Sequence, residues 1–367
     1  MFQGSCMQPK THSTSLARAE NFASSLGIRL PILLAPMAGA CPPSLSIAVA
    51  NAGGMGACGA LMMGPDEIQA WANEFSRGSK GSYQVNLWIP QPPPARDLAH
   101  EKRVRDFLGN WGPAVPTEAG GAQLPDFDVQ CQTLLGLAPK AVSSIMGLYS
   151  AKFASEMKQR GILWFATATT VDEAKAAQQA GADAIIAQGA EAGGHRGSFN
   201  ADDAERHAVG LIALVPQIVD AVAIPVIAAG GIADARGIAA ALLLGASAVS
   251  IGTGFLRSPE ANIPPAYADW LARTEAHETL ITRAFSGRPG RSAATAYVRA
   301  AGSPDAPLPA PYPVQRGLTR GMRDAAKKAG DSDRMQMWAG QSSKLAQNLP
   351  AGLLCARLWE GVRDLLS

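Results

Sequence analysis

Short apolar runs that each close on glycine, with helix-forming stretches between them, constrain this chain more than any other feature. Ala182-Asp-Ala-Ile-Ile-Ala187, Ile224-Pro-Val-Ile-Ala-Ala229 and Ala246-Ser-Ala-Val-Ser-Ile251 read as buried strands, followed by Gly189, Gly230-Gly231 and Gly252. Asp234 to Leu244 is Ala/Leu-rich and free of proline, so it reads as a helix with Asp234 near its N-cap. Strand, glycine turn, helix, strand is the repeating unit of a parallel α/β fold.

The same rhythm runs backwards to the start of the chain. Leu30–Pro36, Met55–Gly59, Tyr83–Ile89, Ala141–Met146 and Gly161–Ala166 are the further strand candidates, with helices across Ser44–Ala52, Pro65–Arg77 and Val171–Ala180. The series totals eight strands, the number that closes a (β/α)8 TIM barrel. The 367 residues exceed the ~250 of a plain barrel. The excess falls in two places. Residues 90–140 are too long for one helix and begin with Gln91-Pro-Pro-Pro94, an excursion of lid character. Residues 258–332, with the proline-rich loop 303–313, read as a smaller, mainly helical insertion after the eighth strand, covering the barrel mouth. The expected domains are a loose tail over 1–15, the barrel over 16–257, the insertion over 258–332, and helices over 333–367 returning to the barrel. These last helices lie around Met337–Gln347 and Leu353–Leu366.

Composition removes several function classes. Hydrophobic residues are 47% and charged residues 17%, which suits buried parallel strands. A net charge of +2 without a basic stripe argues against nucleic acid. The apolar runs are too short and too interrupted to span a membrane. The five cysteines are scattered, with neither a Cys-x-x-Cys pair nor zinc-ligand spacing, so no metal site or disulfide framework is expected. Reduced thiols in the cytoplasm are the simplest account of them.

Chemistry concentrates in Gln188-Gly-Ala-Glu-Ala-Gly-Gly-His-Arg-Gly197. Paired glycines let backbone approach a flat or charged ligand, and His195 beside them can exchange a proton near neutral pH. The turns at Gly230-Gly231 and Gly252-Thr253 offer backbone N–H groups to a phosphate, which in barrels sits after the last two strands. Asn86 lies among apolar neighbours, where a buried amide needs a partner, either a ligand or an internal hydrogen bond. Gln188 ends its strand, where barrel active sites gather. Thr170 fits an N-cap with Glu173 completing a capping box. Glu191 reads as structural or solvated, and Arg196 as support for a phosphate or an anionic substrate. His12, His100, His207 and His277 read as surface residues.

These blocks, with Ala35-Pro-Met-Ala-Gly39, Asn51-Ala-Gly-Gly-Met-Gly56, Tyr83-Gln-Val-Asn86, Ala166-Thr-Ala-Thr-Thr170 and Trp338-Ala-Gly-Gln341, make the chain similar to the nitronate monooxygenases, formerly called 2-nitropropane dioxygenases. The resemblance departs from the common pattern at Ala40-Cys41, where a second glycine is usual, and at Ser250, where many relatives carry glutamine. It implies an FMN cofactor. Pro36 and Met37 would lie along the flavin, and Asn86 and Gln188 would bond its ring or ribityl chain. Gly193, Gly230, Gly231, Gly252 and Thr253 would hold its phosphate, and His195 would face the ring from the substrate side.

The implied reaction is oxidation of alkyl nitronates by O2 to a carbonyl compound and nitrite. His195 would orient the substrate and act as base if neutral nitroalkanes are accepted. The implied partners are the small-molecule nitronate and O2, with homodimerisation left open. The rival readings are an NAD(P)H-dependent flavin reductase of the enoyl-acyl-carrier-protein type and a flavin-binding barrel without turnover.

Overall fold

The computed structural model describes residues 15–366; the expected N-terminal tail lies outside this range except for Ser15, which opens the first helix. Among the described residues eleven strands occur in chain order. Eight form the barrel: β1 (Ile32–Leu34), β2 (Gly56–Gly59), β3 (Tyr83–Trp88), β4 (Ala141–Ile145), β5 (Leu163–Ala168), β6 (Ala184–Gln188), β8 (Val226–Ala229) and β9 (Ala248–Ile251). Each pairs in parallel with its neighbour, from β2 through β6 to β8 and β9 and on to β1. A parallel bridge between Leu33 and Met55 brings the two edge strands together. This is a (β/α)8 barrel.

Alternation along the strands decides which side chains meet. One set of every second residue, including Leu33, Ala141, Phe165, Ile186, Ile227 and Ala248, packs into one buried cluster. Ala23, Leu26 and Ile28, from and just beyond the first helix (Ser15–Ser25), join the same cluster and plug one end of the barrel. The opposite parity, such as Ile32, Val85, Val142, Ile185 and Val249, packs with the surrounding helices. Further along the inward set the residues become polar: Asn86, Ser143, Thr167, Gln188 and Ser250 are all buried near the C-terminal ends of their strands. An apolar floor and a polar mouth give the barrel one chemically active end.

The sequence-expected helices recur with small shifts, as Pro43–Asn51, Pro65–Gly78, Val171–Gln179, Ala235–Leu243 and Ala351–Leu366. Asp234 caps its helix by accepting from the Gly237 N–H, and Thr170 accepts from that of Glu173. The capping box is incomplete, because Glu173 gives its carboxylate to the N–H groups of Thr169 and Phe199 instead.

Two expectations need correction. Met337–Gln347 is not a helix. It runs extended, with Trp338 bridged to Ser292, into the single turn Ser343–Leu345. Its reason is steric: a Cβ on Gly193 would lie 2.5 Å from the Gly340 nitrogen, so two backbones pass here in contact and a helix has no room. The insertion is also less purely helical than its composition indicates. It contains an antiparallel ribbon, β10 (Thr279–Thr282) and β11 (Gly290–Ala293), and β11 pairs with β7 (Gly194–His195). The 90–140 excursion and the insertion share a core in which Leu108, Val104, Phe285, Tyr297 and Leu318 are buried together.

Candidate active site

All ten sequence-selected site residues stand at or just beyond the C-terminal ends of barrel strands. Pro36 and Met37 follow β1, Asn86 belongs to β3, Gln188 ends β6, and Gly193 and His195 follow it. Gly230 and Gly231 follow β8, and Gly252 and Thr253 follow β9.

The glycines converge on one patch. Gly230 and Gly231 take φ of 118° and 67°, a left-handed region that disfavours any Cβ. A Cβ on Gly252 would lie 3.2 Å from the Met37 sulfur. No acceptor among the described residues takes the backbone N–H of Gly230 or Gly231. Thr253 Oγ1 accepts the Gly340 N–H at 3.0 Å, and Ser342 donates to the Gly231 carbonyl. The returning segment 338–342 therefore closes the cradle, a part the sequence reading assigned to a helix. Unpartnered N–H groups in a concavity that side chains would fill suit the phosphate end of a flavin nucleotide. Gly193 contributes differently from expectation, because its missing side chain makes room for Gly340 and Ala339.

The two amides are spent mainly inside the chain. Gln188 donates through Nε2 to the His195 carbonyl at 3.1 Å and accepts the Gly197 N–H at 2.8 Å. It thus fixes the loop that carries the histidine. Asn86 donates through Nδ2 to the backbone and hydroxyl oxygens of Ser143.

Arg196 is bonded within the chain. It is buried and donates to the Gly189 and Gln188 carbonyls, tying β6 to β7. Glu191 receives the Leu211 N–H on both carboxylate oxygens, at the start of helix Leu211–Ala221. That is a structural role, favoured by the helix dipole.

His195 sits between two indoles, its ring centroid 4.6 Å from Trp88 and 4.6 Å from Trp338. Its Nε2 shares a 2.8 Å hydrogen bond with Ser286, which is fully buried. Burial, then the positive charges of Arg288 and Arg316, pushes the imidazole from 6.5 down to about 3, so it is neutral at ordinary pH. Trp88, Trp338, Ser286, Arg288 and Tyr312 escaped the sequence reading as site residues. For Ser286 and Arg288 the local hint is the turn string Ser286-Gly-Arg-Pro-Gly290, whose place beside His195 depends on β11 pairing with β7, and for Trp338 it is the block Trp338-Ala-Gly-Gln341. Of the other histidines, His207 and His277 are exposed, His100 bonds the Leu308 carbonyl, and His12 lies outside the described residues.

Four described cysteines, Cys41, Cys58, Cys131 and Cys355, are free and buried, and Cys6 lies outside the described residues. Among the described residues no cluster of His, Cys, Asp and Glu could hold a metal, and no helix is long and apolar enough to cross a membrane.

A (β/α)8 barrel whose glycine turns and His195 share the C-terminal mouth has the architecture of a barrel enzyme. Comparison with known proteins narrows the class. Residues 20–361 match the family described as nitronate monooxygenase, and this chain belongs to that family. A probable nitronate monooxygenase of Staphylococcus aureus (strain Newman) is 35% identical over 344 residues, 93% of this chain and 96% of that protein. The crystal structure of nitroalkane oxidase from Streptomyces ansochromogenes superposes with a TM-score of 0.86 at 35% identity, over 94% of this chain and 100% of that one. FabK from Thermotoga maritima superposes with a TM-score of 0.74 at 28% identity, over 97% of each chain. The chain is an oxidoreductase of a flavin-dependent family that acts on nitro compounds.

Proposed function

We propose that the cofactor is FMN and that the enzyme oxidises alkyl nitronates with O2 to a carbonyl compound and nitrite. What supports this reading is His195, flanked by two indoles and pushed down to about 3 by burial and then by the positive charges of Arg288 and Arg316. An anionic substrate is stabilised by such a field, whereas a neutral one gains little from it.

FMN, when bound, supplies an electron acceptor that O2 can regenerate. The backbone of Gly230, Gly231 and Gly252 and the Thr253 hydroxyl would hold its phosphate, with Met37 and the Asn86 carbonyl oxygen toward its remainder. Gln188 holds the His195 backbone in register. The Ser286 hydroxyl donates to the Arg288 carbonyl at 3.2 Å. With that proton committed, His195 donates through Nε2 and keeps Nδ1 as its acceptor. The nitronate would then be oriented by the positive charges of Arg288 and Arg316, and Nδ1 is left to remove the α-proton of a neutral nitroalkane. A base pushed to about 3 is poor at that task, so nitronates are the better substrates.

Oxygen uptake by FMN-loaded enzyme given an alkyl nitronate, without any nicotinamide, tests the proposal. Uptake with nitrite release is the expected result. No uptake, with NADPH bleaching the flavin instead, would transfer the chain to the reductase reading that its likeness to FabK keeps in view.

A further inference from the structure

A cavity of about 630 Å³ opens beside His195, between the proline-rich stretch 89–94, the loop 120–128 and residues 312–314 of the insertion. Three of its wall residues tie it to the reacting end. Trp88 stands edge-on to the His195 ring. Arg288 follows, by two residues, the serine that bonds His195. Met146 holds a φ of 69°, rare for a residue with a side chain, while its N–H is bonded to the Gly197 carbonyl and its own carbonyl to Gln91. Backbone strain held from both sides in this way is a recurring mark of ligand sites.

The cavity wall is apolar in the main, with Arg288 and Tyr312 on the side of Trp88 and with Gln123, Asp126 and Asp128 in the 120–128 loop. At the His195 end, Arg288 Nε and Tyr312 Oη are buried without a partner, although Arg288 is only 4% exposed. Arg96 in the same wall is neutralised by Glu101. None of the ion pairs among the described residues involves Arg288 or Arg316. Toward the opening the wall is prolines with Phe127 and Leu124, the latter 38% exposed at the rim. Cavities of roughly 300–1,000 Å³ enclose ligands of drug size. A nitronate of three or four carbons would leave most of this space to water against apolar walls.

We propose that the cavity holds the body of the substrate, a nitronate carried on a long apolar chain. Its charged head lies among His195, Arg288 and Tyr312, and its chain runs outward past Phe127 and Leu124. The inference rests on the nitronate reading and names the substrate class within it. The positive charge of Arg288 in the wall favours the anionic head, and the chain displaces water from proline and leucine surface.

Straight-chain alkanoates of three to ten carbons test the cavity apart from turnover, because their planar anionic heads imitate the nitronate but cannot be oxidised. Their binding to the FMN-loaded enzyme is followed by tryptophan fluorescence, with Trp88 as the reporter. Affinity is expected to rise by up to about fourfold per methylene and to level off once the chain reaches the rim. The kcat/KM of primary alkyl nitronates should climb over the same lengths. Leu124→Trp should bring the plateau to shorter chains, and Tyr312→Phe should lower every length by a common factor. Affinity and kcat/KM independent of chain length, or a plateau unmoved in Leu124→Trp, would overturn the inference. Length-dependent alkanoate binding without turnover of any nitronate would keep the cavity and discard the nitronate reading.

Discussion

Replacing His195 by asparagine should flatten the acid side of the protein's stability curve. In the folded protein the imidazole is held at about 3, against 6.5 when free. Its folded pKa is depressed, so the stability tied to the neutral ring is complete above the unfolded pKa and is lost as pH falls toward the folded one. At pH 7.5 both states carry a neutral ring and the linkage vanishes. At pH 5.0 the unfolded ring is almost fully protonated while the folded ring is not, which favours unfolding by about 2 kcal/mol.

Asparagine has no proton to gain in this range. The stability difference between the two proteins should therefore change by about 2 kcal/mol between pH 7.5 and pH 5.0, with the wild type losing more. Urea denaturation of both proteins at the two pH values, at equal flavin content, reads this directly. Groups common to both proteins cancel in the difference. A change under ~0.5 kcal/mol, or one of opposite sign, would mean that the ring protonates in place. The neutral-imidazole argument would then fail, together with the preference for nitronates built on it.

His195→Asn should cut activity on a neutral nitroalkane by no more than roughly 10²-fold, the low end for a general base because the ring is held at about 3, and on the preformed nitronate less, as nitrite release with each substrate would reveal. Equal losses on both would remove His195 from proton transfer. Ser286→Ala should lower kcat/KM by about tenfold, the worth of one hydrogen bond to a buried ring. It should also mix the His195 tautomers, visible in long-range proton–nitrogen NMR of labelled histidine; an unchanged spectrum would deny Ser286 its positioning role. Gly193→Ala places a methyl group 2.5 Å from the Gly340 nitrogen, so the two backbones must part. A loss of about 1–3 kcal/mol in stability and weaker flavin retention are expected, by denaturation and by flavin fluorescence after dialysis. Full stability would show that the 338–342 segment is not seated as described.

Periodicity and glycine placement made the barrel legible, because both are local properties. An apolar run of five residues between turns reads as a buried strand wherever it packs, and Asp234 or Thr170 caps a helix with its own side chain. The glycine turn after β8 was legible for the same reason, since φ of 118° and 67° at Gly230 and Gly231 is a property of two adjacent residues. Local pattern failed where a contact distant in sequence outweighed it. Met337–Gln347 has a helix-compatible composition, yet Gly193, far back in the chain, draws Gly340 against it and keeps the segment extended. The ribbon β10–β11 was hidden similarly, as its partner β7 is a two-residue strand that no periodicity can reveal.

What the sequence determined by itself is the repeating parallel unit, the loops at the strand ends and the place of His195 just beyond β6. Tertiary structure alone decided the environment of that histidine. Its partner Ser286 is 91 residues away, and its flanking indoles come from β3 and from the returning segment. The same packing turned Gln188 and Arg196 from ligand candidates into braces of the β6–β7 loop. A side chain's type is local, but its protonation state and direction are set by whatever surrounds it. Those neighbours are assembled only when the barrel closes and the insertion folds over its mouth.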